Sequence, residues 1–226
     1  EAIKPRSSVV PGQQVDVMFC IVDHFEPKYL KHDYSQGDVP LITTLTTRED
    51  EIEIVDAWVE RYPRMAGVHK DFDGLPPRHT WCYPIENFDH DHVGKLAGLC
   101  RRGYGELEVH LHHFKDTPEH LAQTLESGKQ DLSTHEATVS ATGASERRFA
   151  FVHGNWALDN SGGNWNCGVN NELDILRKSG CFADFTLPSA PSRTQTRKIN
   201  SIYYAQDDPR KPKSHDTGVD VTVGGK

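Results

Sequence analysis

Glu108-Val109-His110-Leu111-His112-His113-Phe114-Lys115-Asp116 gathers three histidines and two carboxylates in one short segment. Imidazole nitrogens and carboxylate oxygens are the donors that hold divalent metal ions, and they are costly to bury without a strong partner. Leu107, Val109 and Leu111 alternate with Glu108, His110 and His112, which is the period of a strand. The Glu/His/His set therefore shares one face. Histidines two apart on that face sit about 7 Å apart at their Cα atoms and can converge on one ion. His113 has the other parity and is expected outside the ligand set. Asp116 follows one helical turn beyond His112, within reach of the same ion. The chemistry implied is metal-dependent hydrolysis. The plain alternative is a polar interior whose histidines bond to each other and to water.

Other polar residues weigh both ways. Asp23-His24 follows an apolar run, so Asp23 is either a turn cap or a base that takes a proton from water activated by the ion. Asn164 to Glu172 is a polar loop before a helix. Glu172 is a capping carboxylate there, or the loop, with Trp165, is a lip that binds sugar. Arg193 and His215 read as surface residues with the option of touching a polar or anionic substrate. Cys167 lacks a cysteine–histidine signature and is not read as a nucleophile.

The elements that must position these groups alternate strand and helix. Val15 to Val22 is nearly continuous apolar sequence, the pattern of a strand buried on both faces. A helix is expected over Thr47 to Met65, with Ile52, Val55, Trp58 and Val59 on one stripe. Arg78 to Ile85 is the second strand, and a helix from about Asp91 to Arg102 stops at Gly103. Leu107 to His113 is the third strand, and Thr117-Pro118-Glu119 opens the next helix with a cap and a proline. Arg148 to His153, Cys181 to Thr186 and Asn200 to Tyr204 complete the strands, with a helix from Asn170 or Asn171 to Lys178. Glu136 to Glu146 is small and polar, a surface loop.

This alternation predicts an α/β chain with a mostly parallel sheet, open or closed into a barrel. Asp23-His24, Glu86, His112-His113, His153-Asn155, Ser189 and Asp207-Asp208 all fall at or just past the C-terminal ends of expected strands. Those ends gather on the face that carries active sites in such folds. After the sixth strand only Val219 to Val223 remains before Gly-Gly-Lys. A single domain over 1–226 is expected, either a fragment or an incomplete barrel.

Ile21-Val22-Asp23-His24-Phe25-Glu26-Pro27 resembles the Thr-Phe-Asp-Asp-Gly-Pro motif of polysaccharide deacetylases. Glu108 to Asp116 is similar to their Glu-Ile-Gly-Asn-His-Thr-x-x-His. The resemblance runs in strand order over roughly residues 15 to 206. It implies a distorted (β/α) barrel of the glycoside hydrolase/deacetylase type, with Asp23 as base. It also implies a metal held by His24, His112 and Asp116, a permutation of the family's Asp-His-His set. Phe151 to Trp156 keeps none of the letters of the family's Arg-x-Pro-Tyr strand. The family's last Leu-His motif falls on a strand that finds no sequence here, so His153 is the candidate general acid. His110, Asn155, Trp156, Glu172 and Arg193 are expected around the substrate or behind the ligands. The resemblance implies a divalent ion, zinc above all, and removal of an acyl group from a carbohydrate. Two other readings stay open. One is a glycoside hydrolase of the same fold pairing Asp23 with Glu172 or Asp184; the other is a carbohydrate-binding relative without catalysis.

Composition narrows the partners. A net charge of −8, with no basic stripe, argues against nucleic acid. No run approaches the roughly 18 apolar residues of a membrane helix, and the first residues lack the apolar core of a secretory signal. Five cysteines without a CxxC pair fit neither a disulfide framework nor a zinc ribbon, with Cys20 and Cys82 read as core residues. A reducing, cytoplasmic setting is expected.

Overall fold

A computed structural model describes residues 10–15, 17, 19–29, 31–33, 41–135, 147–222 and 224. The chain runs β1 (Ile21–His24), β2 (Lys31–Asp33), β3 (Leu41–Thr44), α1 (Arg48–Val68), β4 (His79–Pro84), α2 (His90–Arg101), β5 (Gly105–Leu111) and α3 (Pro118–Ser133). It continues through β6 (Phe149–His153), α4 (Glu172–Lys178), β7 (Cys181–Asp184), β8 (Tyr203–Ala205) and β9 (Gly218–Asp220). Strands β1, β4, β5, β6 and β7 form one parallel sheet in that order. β1 and β7 each pair on one side only, so among the described residues the sheet is open and no barrel closes. The expected linker at Glu136 to Glu146 lies outside the described residues.

Local chemistry sets the helix starts. Thr47 and Asp50 form a reciprocal capping box at α1, Asp89 accepts the backbone N–H groups of Asp91 and His92 at α2, and Thr117 caps α3 ahead of Pro118. Gly103, at φ 84°, takes the left-handed conformation that ends α2.

Parallel partners in register point to the same face, which sorts the side chains. Trp81, Tyr83, Leu107, Val109, Leu111, Phe149 and Phe151 are buried in one core with residues of α1, α2 and α3. Val22, His24, Cys82, Glu108, His110, Ala150 and Val152 have the opposite parity and lie on the other face.

Three expectations change. The first strand begins at Ile21, because its neighbour β4 begins at His79, opposite Ile21, and offers no ladder before it. Val15, Val17, Phe19 and Cys20 are accordingly exposed. The expected sixth strand does not join the sheet; β8 pairs antiparallel with β9 as a separate hairpin. β2 and β3 form a second antiparallel pair that the apolar pattern did not announce.

Candidate metal centre

Two groups of metal-ligating side chains sit at the C-terminal edge of the sheet, one on each face. The ligand atoms of His24, Glu26 and His110 lie within 4.8 Å of one another, as do those of His113, His153, Cys167 and Glu172.

The first group is built on the face away from the helices. Alternation turns His24 of β1 and His110 of β5 to the same side, with ring centroids 4.5 Å apart. His110 Nδ1 donates to the Val152 carbonyl at 2.7 Å, which leaves Nε2 aimed at Glu26 Oε1, 2.5 Å away. Glu26 Oε1 also lies 3.6 Å from His24 Nδ1 and 3.3 Å from His112 Nε2. His112 Nδ1 is bonded to Glu86 at 2.7 Å. One carboxylate thus faces three imidazoles, two of which have the far nitrogen anchored. That anchoring is how metal-binding histidines are commonly oriented.

Electrostatics agree with that arrangement. Burial alone would raise the Glu26 carboxyl, but hydrogen bonds from His110 and His24 outweigh it and hold the group well below the carboxylate range. Burial lowers His110, against the raising effect of its Glu26 bond. Burial also opposes charge on His112, yet its bond to Glu86 and the nearby Glu26 charge raise it overall.

His24 and Glu86 are partly exposed, and a cavity of about 540 Å³ at this edge is lined by Glu86, His112, His113, Phe114, Asp116 and His120, touching His112 beside the first group and His113 of the second. Phe114 and Trp165 are exposed at this end, and the Lys115 ammonium lies 3.8 Å from the Trp165 ring centroid.

The second group lies on the helix-facing side and is buried, with only His113 reaching the cavity wall. His113 follows the end of β5, with the parity of Leu111, so it turns away from His112. Its Nε2 is 3.0 Å from Glu172 Oε1 and its Nδ1 3.0 Å from Asp116 Oδ2. Both carboxylates, with Cys167 nearby, push His113 up to about 12 against the effect of burial. His153 is fully buried; burial pushes it down to about 4, and its Nε2 has no hydrogen-bond partner. These four side chains could hold a metal ion. Sequence parity turned His113 away from His110 and His112, as the structure has it, but the expectation that it lies outside any ligand set missed this second group. Cys167, buried at 0% exposure, was set aside only as a nucleophile.

The expected site residues divide accordingly. His24, His110 and His112 come together. Asp116 does not join them: its carboxylate binds His113, His120 and the Thr117 N–H at the head of α3. Asp23 is in register with Trp81 on the helix-covered face, its carboxylate 3.5 Å from His79 Nε2, so the expected base points away from the group. His153 and Glu172 belong to the buried group. Trp156 reaches the first group, its ring 6.2 Å from that of His24, while Asn155 is exposed. Arg193 donates to the Gly162 carbonyl and braces the loop after β6. His215 is buried rather than on the surface. Asp184 accepts hydrogen bonds from the Thr186 N–H and hydroxyl, and Glu172 is buried against His113 and the Asp159 N–H. Asp207 accepts the Asp174 N–H and Asp208 binds Arg210, leaving neither at the sheet edge. Sequence reasoning missed Glu26, whose two-residue spacing from His24 was the available signal.

No family model, curated protein or solved structure matches this chain. No helix among the described residues is long and apolar enough to cross a membrane.

Proposed function

We propose that this chain is a metal-dependent hydrolase that removes an acyl group from a carbohydrate. The observation that carries the reading is the convergence of His24, Glu26 and His110 at the C-terminal edge of the sheet, with His24 partly exposed. Two imidazoles and one carboxylate are a donor set of catalytic zinc sites that keep one position open, so zinc is the expected ion. Such an ion supplies Lewis acidity toward an acyl carbonyl and lowers the pKa of water.

The chain's own residues supply the rest. His112, whose protonated form is favoured by Glu86 and Glu26, stands at the cavity wall, placed to protonate a departing amine or alkoxide. Phe114 and Trp165 offer apolar ring faces of the kind that stack on sugars. The Glu86 carboxylate holds the His112 ring in place through Nδ1. On this reading the open sheet is part of a distorted (β/α) barrel of the deacetylase type.

The test is acetate release from N- and O-acetylated oligosaccharides by zinc-loaded protein. Release is expected with zinc, is abolished by chelation and returns on re-addition. His110→Ala and Glu26→Gln should lower kcat/KM at least 100-fold, by analogy with losses at other metal ligands and their supports. Absence of acetate release with saturating zinc, cobalt and nickel alike would overturn the proposal.

A further inference from the structure

The buried group behind the sheet edge has a geometry of its own. His113 and His153 both have Nδ1 engaged, one by the Asp116 carboxylate and the other by the Gly154 carbonyl. Both Nε2 atoms therefore face inward, toward the same oxygen, Glu172 Oε1, at 3.0 and 3.5 Å. Cys167 Sγ completes the ring, 3.6 Å from Glu172 Oε2. All four side chains are buried, and His153 Nε2 has no hydrogen-bond partner. A buried nitrogen without a partner, aimed at a carboxylate, a thiol and a second imidazole, is an unmet coordination demand.

We propose that His113, His153, Cys167 and Glu172 form a second, closed zinc site whose role is structural. Two nitrogens, one sulfur and one oxygen suit four-coordinate zinc, and no donor is left for substrate. The Cys167 thiol and the His113 imidazolium release their protons to solvent as the ion binds. The ligands come from the end of β5, the end of β6, the loop after it and the first residue of α4. An ion there ties 154–171 and α4 to the sheet. The arrangement without an ion is a buried imidazolium between two carboxylates, and the experiment separates the two.

Purified full-length chain is loaded with cobalt, and the thiolate-to-cobalt charge-transfer band is read, together with zinc content by elemental analysis. About two zinc ions per chain are expected. The band should persist in His110→Ala and Glu26→Gln, which keep about one ion each, and vanish in Cys167→Ser. No band in folded, cobalt-saturated wild-type protein overturns the proposal, as does a band that survives Cys167→Ser. If Cys167→Ser fails to fold, His110→Ala decides: loss of all zinc and of the band overturns the closed site. Acetate release plays no part in these readouts, so either proposal can fail alone.

Discussion

Glu108 lies two residues before His110 on the same face, with 1% of its surface exposed. One carboxylate oxygen accepts the Ala150 N–H at 2.5 Å and the other has no hydrogen-bond partner. Burial, against that hydrogen bond and with help from the Glu106 charge, pushes its carboxyl from 4.5 up to about 8. The sign follows from proton counting. Between those two values the folded chain keeps a proton that the unfolded chain has released, so folding stability falls as pH rises through the interval. The slope contributed by this one group reaches about 1.4 kcal/mol per pH unit. Glu108→Gln should remove that slope, measured by urea denaturation of metal-free protein across the interval. Parallel wild-type and variant curves would contradict it.

The turn after β6 governs how the element beside it delivers His112. A Cβ added at Gly154 would meet His112 Cδ2 at 2.3 Å and the His112 Cα at 2.9 Å, and backbone cannot step aside cheaply. Gly154→Ala should therefore cost about 1–3 kcal/mol of stability. It should also weaken metal binding at the open group about 10- to 100-fold, as loss of support for a ligand does. Gly67→Ala is the control. It lies in α1 with no atom near the added carbon and should be neutral or stabilising by up to about 1 kcal/mol. Equal effects of the two in calorimetry and metal titration would refute the packing argument. At this scale the sequence was most readable where chemistry is local: the Thr117 cap, Pro118 and Gly103 announce helix ends, while the caps at Thr47 and Asp89 emerge only in the structure. Alternation in β5 placed His110 and His112 together for the same reason. Apolar content misled at Val15, Val17 and Phe19, because burial depends on a partner strand and β4 supplies none there. Asp116 and Asp23 looked convergent in one dimension, but a carboxylate one helical turn on, or one residue back, faces another neighbour. Cys167 and Glu172 join His113 only through tertiary contact, and no spacing rule encodes that.

Across the whole molecule, the strand order follows the chain apart from the β2–β3 insertion, with a helix in each connection of the main sheet. Right-handed crossovers then put the helices on one side, which matches the single core shared by α1, α2, α3 and the odd-numbered side chains of β4, β5 and β6. Hydrogen exchange should rank accordingly. Amides of β4, β5 and β6, paired on both sides, should exchange slowest; those of β1 and β7 should be faster, and those of the β8–β9 hairpin fastest. Uniform protection across the main sheet and the β8–β9 hairpin would mean that the hairpin is part of the main cooperative unit.

One feature carries a consequence for how this chain can change over generations. His112 and His113 are neighbours whose side chains serve opposite sides of the sheet edge, and the leucines before them share the parity of His113. Substitutions can retune either side separately. Deleting one residue between Glu108 and Leu111 cannot, since it would exchange the faces that His112 and His113 serve. The segment should therefore tolerate exchanges of letters while forbidding any change in their number, and a library of single-residue deletions there should contain no metal-binding survivor.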